Sequence, residues 1–230
     1  DEVIAAAAGA CAIGFVFSFR NDSHEQAFAK ALRKRAPEIA VSVSSEVQPE
    51  FREYERLSTT VLNAYLQPVM WHYLKTLEAG IAKLAPNASL GINQSSGGLM
   101  SVQRSREFPV RTALSGPAAG AVGAAHVARQ TRCRNIITLD MGGTSADVAL
   151  IRDYSVDLAF DRDVAGFPIR MPSVDVETVG AGGGSIAWFD RDGLLKVGPK
   201  SAGAYPGPAC YGNGGHEPTT TDANLLLGRL

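Results

Sequence analysis

The stretch over residues 135–152, NIITLDMGGTSADVALIR, limits what this chain can fold into more than any other. Ile136, Ile137 and Leu139 form a short apolar run that ends at Asp140, and Val148, Leu150 and Ile151 begin a second run after the bend. The segment therefore predicts strand, glycine turn, strand. Gly142, Gly143, Thr144 and Ser145 occupy the bend. Glycines let backbone N–H groups approach an anion and a hydroxyl adds a side-chain donor, while Asp140 and Asp147 are placed to hold a hydrated divalent cation. The pattern reads as a nucleotide phosphate clamp. A P-loop or a Rossmann turn opens a helix after its glycines, and DVALI is too short and too β-branched for one. An ordinary hairpin with a glycine turn is the competing reading of this stretch taken alone.

At 230 residues with 45% hydrophobic content, the chain can bury a sizeable core. A net charge of −1 provides no global field to attract nucleic acid or an acidic membrane. Cys11, Cys133 and Cys210 lie far apart with no Cys-x-x-Cys pair. That fits a reducing, cytoplasmic setting and argues against a zinc module. Residues 3–19 carry no charge, yet Asp1 and Glu2 stand where a signal peptide needs basic residues, and the run falls short of the ~20 apolar residues of a spanning helix. It reads as a helix end and then a buried strand over residues 12–19. A first residue other than methionine fits a chain that begins inside a longer one.

Asp22-Ser23-His24-Glu25-Gln26 supplies a capping-box signal for a helix to about Ala36, which Pro37 stops. Lys30, Arg33, Lys34 and Arg35 crowd its last turns as a solvated face that complements the helix dipole. Residues 39–47 alternate as a strand, completing a βαβ unit. From Glu53 to about Leu84, apolar residues including Leu57, Val61, Leu62, Tyr65, Leu66 and Val69 recur at the spacing of a long helix with one buried face. Pro68 kinks it or begins a second segment. Trp71, His72 and Tyr73 read as packing residues on it.

Residues 90–93 lead as a strand into Ser95-Ser96-Gly97-Gly98, a second turn whose amides can face an anion, a plain turn being the alternative. A helix of small residues opens at Ser115-Gly116-Pro117 and runs to about Arg129. Its glycines each cost about 1 kcal/mol relative to alanine, which implies very close packing against a neighbour. Residues 174–179 alternate as a strand into Gly180-Ala181-Gly182-Gly183-Gly184-Ser185, and residues 186–189 resume strand character. A Rossmann fingerprint fails there, because Ser185 takes the third glycine's place and no helix follows. Eleven glycines between 180 and 215, with Pro199, Pro206 and Pro208 among them, mark a loop-built surface suited to a site. Cys210 has no activating base beside it in sequence and reads as a half-buried structural thiol. His216-Glu217 does not extend to a zinc-protease motif. Thr219-Thr220-Thr221-Asp222 reads as the capped start of a last helix.

A small-residue helix after a Gly-Pro start, a strand, an Asp-x-Gly-Gly-Thr turn and a second strand, in that order, are similar to the second phosphate segment of the actin, sugar-kinase and heat-shock-chaperone ATPase superfamily. Within it, SSEVQPEFREYERLSTTVLNAYLQPVM, QSSGGLM, RTALSGPAAGAVGAAHVAR, LDMGGTSADVAL, TVGAGGGSIAWFD, VGPKSAGAYPGPACYG and PTTTDANLLLGRL closely resemble the hydantoinase A/5-oxoprolinase family, in matching order over nearly the whole chain. The resemblance implies an α/β fold of actin-like (ribonuclease-H-like) lobes with mixed sheets flanked by helices. Residues 1–50 would end a first lobe, 51–86 form the linking helical segment, and 87–230 begin a second lobe.

It also implies an ATP-dependent enzyme that acts on cyclic amides such as hydantoins or 5-oxoproline, phosphorylating a carbonyl or carboxylate oxygen. Such an enzyme needs Mg2+ or another divalent cation and works with a B-type subunit or domain. A subunit of an ATP-dependent ketone carboxylase is the nearest alternative, and a non-catalytic actin-like nucleotide-binding module a further one. Carried onto this chain, Gly142, Gly143, Thr144 and Ser145, with Gly182 and Gly183 of the second glycine loop, are the expected cofactor-binding residues. Asp140 and Asp147 are expected to hold metal or orient the attacking oxygen. Ala146 stands where the family pattern has a hydroxyl, so no third side chain is expected to touch phosphate there. The family's first Asp-x-Gly-Gly-Thr loop has no counterpart in these residues. An internal fragment with little activity of its own is therefore expected, with no nucleic-acid or membrane partner.

Overall fold

The computed structural model describes residues 2–164 and 166–230. The chain divides into two compact units, Asp1–Ala119 with Leu158–Val174, and Gly120–Asp157 with Asp175–Leu230. In the first unit a short helix α1 (Glu2–Ala5) precedes β1 (Ala10–Ile13), α2 (Ser23–Arg35) and β2 (Ala40–Val43). Small and β-branched residues in ACAI and AVSV suit a buried pleat, and the two strands pair in parallel, Ala10 opposite Ala40. Ile13, Ala29, Leu32, Ala36, Ile39, Val41 and Val43 close into one core beneath α2. Each fully buried aliphatic side chain there contributes about 1.5–3 kcal/mol.

Three local expectations fail here, and one residue accounts for them. The first strand stops at Ile13 rather than reaching residue 19, the second stops at Val43 and turns into α3 (Ser44–Val47), and Asp22 makes no side-chain cap bond. Glu25, the acid expected to complete the capping box, is instead fully buried. Its carboxylate accepts the Phe15 N–H at 2.7 Å, the Ser44 hydroxyl at 2.7 Å and the Ser45 N–H at 3.0 Å. These bonds draw both strand ends out of the sheet. Burial pushes the carboxyl up, but the donors from Ser44, Ser18, Phe15 and Ser45 outweigh it and hold the group below its ordinary value.

A lowered folded value means that the associated stability is complete above the ordinary glutamate value of about 4.3 and is lost as pH falls through the folded one. Glu25→Gln is expected to remove that acid-dependent loss and to cost about 1–3 kcal/mol at neutral pH. Urea unfolding of both proteins across the acid range measures it, and an acid dependence identical to the parent's would refute the assignment.

α4 (Glu53–Leu84) is a single helix that runs through Pro68, all of it within the first unit. Its buried face differs from the apolar stripe read in the sequence. Arg56, Thr59, Thr60, Asn63, Ala64 and Leu74 are inside, whereas Val61, Tyr65, Val69, Trp71 and Tyr73 are exposed. The buried polar groups are tied to neighbouring backbone. Asn63 Nδ2 donates to the Ser42 hydroxyl and to the Glu107 carbonyl, both at 2.9 Å, and Arg56 donates to the carbonyls of Glu50 and Phe15, both at 2.8 Å. Trp71 is a cation–π partner of Lys75 and Arg106 rather than a packing residue.

Beyond α4, the expected strand β3 (Gly91–Asn93) enters the serine-glycine turn and pairs with a return strand not anticipated from sequence, β4 (Leu99–Ser101), followed by α5 (Val102–Glu107) and a 3-10 turn at Pro109–Thr112. A long hairpin of β8 (Leu158–Val164) and β9 (Phe167–Val174), not anticipated from sequence, completes the unit. Its Ile169 and Met171 join Val47, Phe108 and Val110 in a second core.

α6 (Ser115–Thr131) forms as expected, yet its glycines are not its crowded positions. A Cβ added at Gly116, Gly120 or Gly123 meets nothing, and the buried stripe is made by Ala118, Ala121, Ala125 and Ala128. The second unit holds an antiparallel sheet of β5 (Ile136–Met141), β6 (Ala146–Arg152) and β10 (Val176–Val179) in the order β10-β6-β5, with β7 (Ser155–Val156) paired to β6. A two-stranded sheet of β11 (Ser185–Phe189) and β12 (Leu195–Ser201) follows, and then α7 (Thr220–Leu226). The whole is an α/β fold with mixed sheets. Among the described residues no helix is long and apolar enough to cross a membrane.

Candidate functional site

The β5–β6 hairpin is anchored from below by Ala146, Ala149 and Ile151, all buried, and by the Thr138 hydroxyl, which accepts the Ala149 N–H at 3.0 Å. Its turn closes where the Gly142 N–H donates to the Ser145 carbonyl at 2.9 Å. That register sets Asp140 directly opposite Asp147, and Asp147 opposite Thr178 on β10. Two carboxylates and a hydroxyl therefore form a row across three strands. The Thr178 hydroxyl donates to Asp147 Oδ1 at 2.6 Å. Like charges facing each other across strands destabilise a sheet, and a divalent cation relieves that while drawing its remaining ligands from water and phosphate. Among the described residues no cluster of three or more acidic, His or Cys side chains is arranged as a metal cage.

Above the acid pair, the N–H groups of Gly143, Thr144 and Ser145 meet no acceptor within the described chain, and neither do the hydroxyls of Thr144 and Ser145. These are successive donors at an open turn, the arrangement that receives an anion. The carbonyls beside them are occupied. Gly142 O accepts from the Gly183 N–H at 2.9 Å and Gly143 O from the Gly184 N–H at 2.6 Å. The second glycine loop thus lies backbone to backbone on the hairpin. A Cβ at Gly182 would sit 2.6 Å from Ser145 N and 2.7 Å from Gly142 O, and one at Gly184 would sit 2.8 Å from Gly143 O.

The N–H groups of Gly182 and Gly183 are engaged inside the chain, with the buried Ser185 hydroxyl taking that of Gly182 at 2.8 Å. The N–H groups of the two glycines expected to bind cofactor are thus bonded within the chain, while N–H groups without a partner in the described chain lie at residues 143–145. Thr221 locks the loop from outside, its N–H and hydroxyl both donating to Gly183 O at 2.8 Å. Thr178, Ser185 and Thr221 were not singled out from sequence. Ser185 in the third-glycine position and the TTTD cap were the signals available.

The capped last helix forms as expected, Thr219 and Asp222 making a reciprocal capping box at the start of α7. Asp222 does more than cap. It also accepts the N–H groups of Cys210 at 2.8 Å and Ala209 at 3.3 Å, which ties the PGPACYG loop to the helix. Burial pushes its carboxyl up, but the bonds from Cys210 and Thr219 pull it well below the usual carboxylate range. Cys210 is exposed rather than half-buried, and its bond to Asp222 pushes the thiol up, so no activated nucleophile stands here. Asp222→Ala is expected to cost about 1–2 kcal/mol from the lost cap and to open residues 209–211 to proteolysis. Thermal unfolding with limited proteolysis checks it, and parental stability and resistance would refute it.

A family model described as hydantoinase/oxoprolinase matches residues 56–230. The caprolactamase alpha subunit of Pseudomonas jessenii is 48% identical over 96% of this chain, which covers 32% of that protein. In the crystal structure of the ATP-dependent caprolactamase from the same organism, 99% of this chain superposes on 33% of the other with a TM-score of 0.85 and 45% identity. The 5-oxoprolinase of Saccharomyces cerevisiae is 41% identical over 95% of the chain and 17% of its own length. A nucleotide-free acetone carboxylase structure matches 100% of the chain and 33% of its own at 30% identity, with a TM-score of 0.76. The chain spans about a third or less of each of these relatives.

Proposed function

Because this chain belongs to the hydantoinase/oxoprolinase family, an enzyme family whose relatives include ATP-dependent amide hydrolases, we propose that it supplies a phosphate-holding hairpin to an enzyme that hydrolyses small cyclic amides at the expense of ATP. The observation that carries this reading is the tip of the β5–β6 hairpin. Three consecutive N–H groups, at Gly143, Thr144 and Ser145, have no partner in the described chain and stand over the Asp140–Asp147 pair. ATP, when bound, supplies a phosphoryl group that activates an amide carbonyl oxygen toward water.

This chain's part is to bind and orient. The N–H groups of residues 143–145 and the Thr144 and Ser145 hydroxyls donate to phosphate oxygens, and the absence of a side chain at Gly143 leaves the approach open. Asp140 and Asp147 would hold Mg2+, with Thr178 fixing the rotamer of Asp147. Gly182–Ser185 keep the turn in register without donating to the ligand. The same proposal includes actin-like lobes divided at residues 50 and 86, α4 as the segment linking them, a B-type partner subunit and a cytoplasmic setting.

The acetone carboxylase match favours a second reading, in which ATP activates carbon for ketone carboxylation. ATP hydrolysis by the intact protein with its partner separates the two. Stimulation by a hydantoin, 5-oxoproline or a lactam is expected. Stimulation only by a ketone with bicarbonate would overturn the hydrolase reading, and turnover indifferent to every small substrate would leave a nucleotide-binding module.

A further inference from the structure

A cavity of about 110 Å3 in the first unit is lined by Gln48, Gln94, Ser96, Arg111, Met171 and Pro172. Two of these residues present polar side chains to the cavity without a hydrogen-bond partner in the described chain. Gln48 is 7% exposed, and its side-chain amide makes no hydrogen bond in the described chain. Arg111 is half-buried, and among the described residues no carboxylate or carbonyl receives its guanidinium, which lies over the Phe108 ring at 4.9 Å. Burial, with the charge of Arg104 nearby, pushes the Arg111 guanidinium down.

The backbone beside the pocket is tied to itself by hydrogen bonds. The Ser95 N–H and hydroxyl both donate to the Arg111 carbonyl, at 2.7 and 2.8 Å, and the Gln94 amide donates to Gly97 O at 3.3 Å. Arg111 and the serine-glycine turn therefore move as one piece. Ser96 adds a hydroxyl with no partner in the described chain, while Met171 and Pro172 supply an apolar wall.

We propose that this cavity binds a short monocarboxylate, its carboxylate on Arg111 and Gln48 and its alkyl end against Met171 and Pro172. A guanidinium fork matches a carboxylate's two oxygens, and the amide of Gln48 supplies a neutral donor on a second side. At about 30 Å3 per water, the volume holds about three to four waters, which suits two or three carbons and excludes a nucleotide. The apolar wall selects against a purely inorganic anion. The site is separate from the phosphate hairpin and does not depend on the ATP reading.

The test is calorimetric titration of the chain with sodium acetate and sodium propionate, in the absence of nucleotide, with chloride, bicarbonate and inorganic phosphate as comparison anions. Saturable binding with a dissociation constant on the order of 1 mM is expected, with propionate at least as tight as acetate. Arg111→Gln and Gln48→Leu are each expected to weaken it about tenfold or more, Arg111→Lys to restore part of it, and Thr144→Ala to leave it unchanged. Circular dichroism identifies any variant that does not fold, and the parent's anion selectivity then stands as the deciding measurement. No saturable carboxylate binding, equal binding of phosphate or bicarbonate, or parental affinity in a folded Arg111→Gln protein would each overturn the proposal. None of these outcomes bears on ATP turnover at residues 140–147.

Discussion

Asp140→Asn in the intact enzyme is expected to lower ATP turnover by about a hundred- to a thousandfold, the range for removing one charge-stabilising group from an active site. The fold should remain as stable as the parent's, or become slightly more so. Asp140 is exposed and its carboxylate makes no hydrogen bond or ion pair within the described chain, so replacing it by Asn breaks no side-chain contact. It also faces Asp147 across the strand pair, and facing like charges cost about 0.2–1 kcal/mol that asparagine relieves. An acid whose removal stabilises the empty protein and disables the working one is an acid kept for a ligand. Thr144→Ala, which deletes a hydroxyl with no partner in the described chain, is expected to act in the same direction and more weakly. Steady-state ATP hydrolysis measured beside thermal unfolding decides it. Parental turnover in both variants removes the phosphate assignment, and a melting temperature that falls with activity reduces Asp140 to a structural residue.

The hairpin was legible because it advertises itself twice, through two period-2 apolar runs and through glycines that only a tight turn explains. The turn's short span then sets the register, and with it the facing acids. The βαβ start of the chain was legible for the same reason of periodicity, but its strand ends were not. Those are set by Glu25 reaching Phe15, Ser44 and Ser45, contacts between segments that no local pattern records. α4 inverted for a related reason. Patterning assigns Val61, Tyr65 and Val69 to the inside, whereas bonded partners on Glu50, Phe15, Ser42 and Glu107 let Arg56 and Asn63 be buried instead. The β8–β9 hairpin carries Asp161, Asp163, Pro168, Arg170 and Pro172, which break the apolar alternation that marks a strand. Prolines are tolerated in strands where no ladder N–H is needed. In the candidate site, the two glycine segments were each visible, but their docking was not. Contact made by backbone on backbone has no side-chain signature, so the bonds that engage the loop's N–H groups within the chain could not be read from its residues.

That docking makes the sharpest contrast between two glycines one loop apart. Gly182→Ala is expected to destabilise the second unit by about 1–3 kcal/mol, as overpacking of a close contact does, and to abolish most ATP turnover with it. The added methyl would lie within 2.6 Å of Ser145 N and Thr144 C and 2.7 Å of Gly142 O. All three are backbone atoms, none with the freedom of a side-chain end, so the loop must lift. Lifting it breaks the bonds from the Gly183 and Gly184 N–H groups to the Gly142 and Gly143 carbonyls and frees the turn that presents residues 143–145. Gly143→Ala provides the complement. Nothing lies within 4 Å of its added methyl, and its φ is outside the left-handed region, so the empty protein should melt as the parent does. If phosphate approaches that backbone closely, the methyl obstructs it and ATP affinity falls while stability holds. Melting curves and nucleotide titration of the two variants therefore separate the support of the turn from its use. A destabilised Gly182→Ala protein beside a stable Gly143→Ala protein with weakened ATP binding is the expected pair. Parental ATP binding in the Gly143→Ala enzyme would mean that the open face of the turn is not where the nucleotide lies.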